Sequence, residues 1–201
     1  MRRRGHHLAL LLACALVAAL AASASAAAAV APAVAVGFVR RSCRCTRYPR
    51  VCESTLVPRA AAVGRSPRLL ARAALAVGAD RARNCSAYIR RGAGGAGGGV
   101  AVKDCADMAR DAEERLRQSA AEMERMGRAG TPRFAWSLSN VQTWASAAVT
   151  DASTCLDSLA QARGGGGKQD GNDAVRRRVE AVAQATSNAL ALVNRLDPAT
   201  H

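Results

Sequence analysis

Apolar and small residues recur every third or fourth position along most of this chain, a spacing that predicts helices. The clearest stripe is Val102, Cys105, Ala109, Ala112, Leu116, Ser119, Met123 and Met126, with Arg110, Glu113, Glu114, Arg117 and Glu124 on the opposite face. A second stripe runs Val141, Trp144, Ala148, Ala152, Cys155 and Leu159. A third runs Val175, Val179, Val182, Thr186, Ala189, Val193 and Leu196. The segment 66–91 is less regular, with Leu70, Ala74, Val77 and Tyr88 as its core candidates. Nothing alternates with period two through β-branched residues, so no strand is expected.

Glycine-rich breaks at 92–99, 127–132 and 164–171 separate these segments. Ser66-Pro67 is a fitting helix start, Ser139 or Asn140 and Asp173 are candidate caps, and Pro198 is a stop. Four helices joined by short loops pack antiparallel, so residues 66–198 should form an up-down-up-down four-helix bundle. Its core is rich in alanine. Burying a Leu or Val stabilises by about 1.5–3 kcal/mol; alanine contributes much less, and covalent staples would offset the difference.

The N-terminus specifies a compartment. Arg2, Arg3 and Arg4 precede the apolar run Leu8–Leu20 and small-x-small triplets ending at Ala24 and Ala26. This reads as a signal peptide over 1–26, followed by an Ala-rich linker over 27–37. After cleavage no segment is apolar enough for a membrane span. A secreted chain oxidises its thiols. Cys14 leaves with the leader, and Cys43, Cys45, Cys52, Cys85, Cys105 and Cys155 remain. Spacing alone does not choose among their connectivities. Cys105 and Cys155 fall on inward stripes of neighbouring helices, where a bridge or two buried thiols would fit. A bridge there closes about 50 residues and is worth roughly 4 kcal/mol. Cys43 and Cys52 flank Tyr48-Pro49, and a turn at that proline predicts a small stapled helical hairpin over 38–63.

Charge and composition narrow the function. Lys and Arg number 29 against 15 acidic residues, a net charge of +14, and all but Lys103 and Lys168 are arginines. The arginines are scattered along helices with few aromatics to stack on bases, so nucleic acid is not the expected partner; a polyanionic extracellular matrix or an acidic partner is. His6 and His7 lie in the leader and His201 at the end, so no internal histidine remains for a nucleophile pair or a zinc site. Asp104, Asp107 and Asp111 on one helix, and Asp151 and Asp157 on another, read as solvated faces. The glycines at 94–99 lack the lysine, hydroxyl and preceding strand of a phosphate loop. No enzyme, metal or cofactor is indicated. Asn84-Cys85-Ser86 is a glycosylation sequon.

Four ordered motifs resemble the plant invertase/pectin methylesterase inhibitor domain family, from about Phe38 to Leu196. They are Cys43-x-x-Thr46-x-x-Pro49-x-x-Cys52; Val102-Lys103-Asp104-Cys105; Val141-Gln142-Thr143-Trp144-Ala145-Ser146-Ala147-Ala148-Val149-Thr150 with Thr154-Cys155-Leu156-Asp157; and Ser187-Asn188-Ala189-Leu190-Ala191-Leu192. The resemblance implies disulfides Cys43–Cys52 and Cys105–Cys155, and a helical hairpin ahead of a four-helix bundle. Cys45 and Cys85 depart from the family's four-cysteine pattern. Cys43 is favoured over Cys45 as the partner of Cys52 because it holds the family distance to Thr46 and Pro49.

The resemblance further implies an inhibitor secreted to the apoplast and cell wall, binding one carbohydrate-active enzyme one to one across its active-site cleft. Pectin methylesterase is the expected partner, with acid invertase as the alternative. Invertase inhibitors share a Pro-Lys-Phe motif between the third and fourth bundle helices. The nearest approach here is Thr131-Pro132-Arg133-Phe134, one connection too early and with arginine for lysine. Thr154 matches a threonine that the family uses at the esterase contact, and Arg110 and Arg117 are the charged residues expected to assist it. A further reading is a basic wall protein that binds pectin itself.

Overall fold

Ser66 opens the first long helix: its hydroxyl accepts from Leu69 N at 3.2 Å, and Pro67 takes the first helical position. The computed structural model describes residues 32–93, 99–162 and 169–197. Its elements are α1 (32–43), α2 (Pro49–Leu56), a 3₁₀ turn (Val57–Arg59), α3 (Ala60–Val63), α4 (Pro67–Tyr88) with a π-turn after it (Ile89–Ala93), α5 (Val100–Arg125), α6 (Pro132–Ala162) and α7 (Gln169–Asn194). No strand occurs among the described residues. The leader, the glycines at 94–98 and 164–167, and Pro198 lie outside them.

The four long helices form the antiparallel bundle. α4 packs along α5 and α7, and α6 packs along α5 and α7, which closes the ring. Every position of the α5 stripe from Val102 to Met126 is buried. Small residues let the helices approach closely. A Cβ on Gly78 of α4 would lie 3.1 Å from Leu116 Cδ1 of α5 and 3.4 Å from Thr186 Oγ1 of α7, so three helices meet where only hydrogen fits.

α1 and α2 form the N-terminal hairpin, closed by Cys43–Cys52. α2 rests on α4 and α7. Asn188 of α7 clasps the hairpin turn: its Oδ1 accepts from Tyr48 N and its Nδ2 donates to Tyr48 O, both at 2.9 Å. Thr46 donates to Cys43 O at 2.8 Å and tightens the same turn.

Several boundaries differ from the sequence reading. Residues 32–37, within the span read as a linker, belong to α1, and Ala35 is buried in the core. α6 starts at Pro132, not at Ser139 or Asn140. Thr131 Oγ1 accepts from Phe134 N at 3.2 Å, and Phe134, Ser137 and Leu138 extend the inward stripe upstream. α7 starts at Gln169, so Gly171 and Asp173 lie inside the helix and Asp173 is not its cap. Trp144 is half-buried, and the small Ala145 takes the fully buried inward position.

Candidate functional site

α5 and α6 are joined at three levels. At one end is the disulfide Cys105–Cys155. Midway, Arg115 Nε pairs with Asp151 Oδ2 at 3.0 Å. At the other end, Ser137 donates to Glu122 Oε1 at 2.5 Å. Gly127 (φ +76°) and Gly130 (φ +82°) permit the tight turn between the two helices. These rungs hold the two helices as one unit whose outer side faces solvent.

The predicted contact residues are exposed but do not share one side, since Arg117 lines the groove between α4 and α5. Thr154 is exposed on α6, next in sequence to the disulfide that fixes its helix. Arg110 and Arg117, seven positions apart and so on one helical line, are exposed on α5. Arg110 lies 3.4 Å from Asp107 and 3.8 Å from Asp111; Arg117 lies 3.9 Å from Glu113. These are loose surface pairs, leaving both guanidiniums available to a partner. Asn84 is exposed on α4. Cys45 is an exposed thiol. Cys85 is buried, and that burial pushes its thiol up to about 11 against the pull of Arg178.

Two carboxylates on the α5–α6 seam carry opposite shifts. Ser137's hydrogen bond, with help from Arg125 and Arg133, outweighs burial and holds Glu122 below the usual range. Burial raises Asp151 above it, opposed by Arg115 and reinforced by Asp111. Asp151 is therefore a half-buried, paired group and not a member of a solvated face. Glu122 escapes a reading of apolar periodicity because it is a charge on the inward stripe. Its signal is the buried neighbours Ser119 and Met123. Exposed Trp136, one turn into α6, was also not singled out by the stripes.

A groove of about 400 Å³ runs between α4 and α5, floored by Ala76, Ala79, Ala120 and Ala121 and rimmed by charged residues such as Arg72, Glu124 and Asp80. It holds no nucleophile paired with a base. Among the described residues no group of histidine, cysteine or carboxylate side chains could hold a metal ion, and no helix is long and apolar enough to cross a membrane. What the α5–α6 face offers is a preformed surface.

The profile of the family described as plant invertase/pectin methylesterase inhibitor matches residues 37–192. The chain is 39% identical over 163 residues to the "21 kDa protein" of Daucus carota, covering 78% of this chain and 82% of that one. It is 38% identical over 171 residues to "Pectinesterase inhibitor 11" of Arabidopsis thaliana, covering 80% of each. The fold is similar to the crystal structure of a mutant form of a pectin methylesterase inhibitor from Arabidopsis, with TM-score 0.59 at 18% identity over 77% of this chain and 94% of that one.

Proposed function

The chain belongs to the plant invertase/pectin methylesterase inhibitor family and is an inhibitor protein, not an enzyme, and on that premise we propose that it binds pectin methylesterase one to one and covers its pectin-binding cleft with the outer side of α5 and α6. The observation that carries this reading is the triple cross-link of α5, which bears Arg110 and Arg117, to α6, which bears Thr154. A surface rigid before binding loses little freedom on association, so more of the contact energy appears as affinity. Occlusion of this kind needs no chemistry from the inhibitor.

The setting follows from the same reading. The leader over 1–26 is removed, the domain over 38–198 is released to the cell wall, and the oxidising route forms both disulfides. Asn84 is exposed and open to glycosylation there.

The acid invertase alternative draws less support. Thr131-Pro132-Arg133-Phe134 caps α6 with Arg133 exposed but Phe134 buried in the core, so the aromatic residue of the motif is withheld from an enzyme.

The test is methanol release from pectin by a wall pectin methylesterase, with and without the purified, oxidised protein, run beside sucrose hydrolysis by acid invertase. Loss of methanol release with sucrose hydrolysis untouched is the expected result. The reverse pattern would move the assignment to invertase, and two unaffected enzymes would end it.

A further inference from the structure

Trp136 stands on the outer side of α6 with 59% of its surface exposed, although this chain has only two tryptophans. The Arg133 guanidinium lies 5.7 Å from the centre of its ring. Arg133 also rests against the turn at Gly127, where a Cβ would come within 3.5 Å of Arg133 Cγ. Exposed Arg128 is the next residue of that turn, and Arg125, which ends α5, is 64% exposed.

Arginines outnumber acids over the described surface as a whole; here the excess stands beside an exposed indole. Near Trp136, Arg125 and Arg133 share a single carboxylate, and exposed Arg128 stands in the adjoining turn. Glu122 lies 3.1 Å from Arg125 and 3.9 Å from Arg133, is itself buried, and is already bonded to Ser137. One acid cannot neutralise three guanidiniums, so this end of the α5–α6 unit keeps an excess of positive charge beside a bare indole.

We propose that Trp136, with Arg125, Arg128 and Arg133, forms a binding site for an acidic glycan, a chain of hexuronate residues. An indole presents a flat apolar face on which the C–H face of a pyranose ring rests. Guanidiniums one turn away take the carboxylates in forked, charge-assisted bonds. A nucleic acid is a poorer fit, because stacked bases call for successive aromatic platforms and only one ring is exposed here. Trp136 stands near the start of α6 and Thr154 near its other end, beside the disulfide, so the glycan site and the proposed enzyme contact can be tested separately.

The experiment titrates the oxidised full domain with oligogalacturonate at about 0.15 M salt, where attraction between distant exposed charges is largely screened, and with the methyl ester of the same oligomer. The acid form should bind and the ester should not. Trp136→Ala, which leaves the net charge unchanged, should weaken binding roughly tenfold, the cost of a lost stacking contact. Trp136→Phe should restore part of it. Arg133→Ala should weaken binding, whereas Arg177→Ala, which removes the same charge from exposed α7, should not. Far-UV circular dichroism and melting of each variant would verify folding. Unaltered binding by Trp136→Ala, equal losses from Arg133→Ala and Arg177→Ala, or no binding at this salt would each overturn the proposal. So would a Trp136→Ala protein that binds the oligomer normally but inhibits the esterase poorly, because the indole would then belong to a protein contact.

Discussion

Asn188 bonds both backbone groups of Tyr48, accepting from its N–H and donating to its carbonyl, 140 positions away in the chain. A side-chain amide is suited to this because it carries a donor and an acceptor side by side. It fastens the hairpin turn to α7 where the covalent link Cys43–Cys52 does not reach the bundle. Asn188→Ala strands two part-buried backbone groups and should destabilise by about 1–3 kcal/mol. Asn188→Asp should cost at least as much, since a carboxylate oxygen would face the Tyr48 carbonyl. Urea unfolding checks the magnitude, and hydrogen exchange over 44–63 should rise more than exchange within α5. An unchanged exchange pattern would show that the clasp is dispensable.

The Ser137–Glu122 contact sets a pH dependence. Glu122 is held below its unfolded-state pKa, chiefly by Ser137. Its contribution is therefore complete above the unfolded pKa and is lost as pH falls through the folded value. Ser137→Ala removes a hydrogen bond to a charge, about 1.5–3 kcal/mol at neutral pH, and should move the acid unfolding midpoint to higher pH. Asp151 has the opposite sign. Its folded pKa is raised, so its contribution is present in acid and lost as pH rises through that value. Relative to wild type, Asp151→Asn should gain stability between acid and neutral pH. Melting temperatures from pH 7 down to about 2 read both trends.

Much of this architecture is visible in the periodicity, and the exceptions have a common cause. The α5 stripe is complete because each of its positions meets a core side chain regardless of partner. Trp144 fails because amphipathic spacing tolerates a shift of one residue, and only packing between helices selects Ala145 instead. The start of α6 is obscured for a related reason: Ser139 and Asn140 are good caps in isolation, but Thr131-Pro132 with buried Phe134 wins once the core is assembled. Glu122 with Ser137 and Arg115 with Asp151 are pairs between helices. Their recognition requires the relative register of α5 and α6, which no single helix encodes. The disulfide pairings were legible because the inward stripes and the motif distances agreed on Cys105 with Cys155, and the turn at Pro49 and the same distances agreed on Cys43 with Cys52.

The two disulfides should differ in weight. Cys105–Cys155 closes a separation of 50 residues and Cys43–Cys52 one of 9. Chain entropy alone makes these worth about 4 and about 2.5 kcal/mol. Replacing Cys105 and Cys155 by serine should lower the melting temperature more than replacing Cys43 and Cys52. The same variant should also lose inhibition, because α5 and α6 would no longer be fixed at the Thr154 end. A double-serine protein that inhibits as well as wild type would argue against a rigid-face mechanism.

Thr186 has a buried hydroxyl with no hydrogen-bond partner among the described protein groups, at the point where α7 meets Gly78 and Leu116. Thr186→Val keeps the branched shape and removes the unpaired polar atom, so it should stabilise by about 1 kcal/mol. Gly78→Val at the same junction should destabilise by about 1–3 kcal/mol through overpacking against Leu116. Thermal unfolding of the two variants should therefore shift in opposite directions. A Thr186→Val protein that melts below wild type would indicate that an ordered water or a shifted rotamer already satisfies the hydroxyl.

Arg117 and Thr154 separate electrostatic from steric contributions to binding. The Arg117 side chain is 73% exposed and its pair with Glu113 is loose at 3.9 Å, so Arg117→Glu should alter stability by no more than about 0.5 kcal/mol. If the face meets an acidic cleft, the reversed charge should slow association, and the loss should shrink as salt rises. Thr154 carries no charge, so Thr154→Ala should have a small effect at every salt concentration. Thr154→Arg, which adds bulk to a face held flat by the adjacent disulfide, should weaken inhibition by speeding dissociation, because the stapled helix cannot move aside. Association and dissociation rates for the three variants, measured against pectin methylesterase at two ionic strengths, distinguish these outcomes. Equal rates for all variants and wild type would place the contact on another side of the bundle, away from Thr154 and from the α4–α5 groove that Arg117 lines.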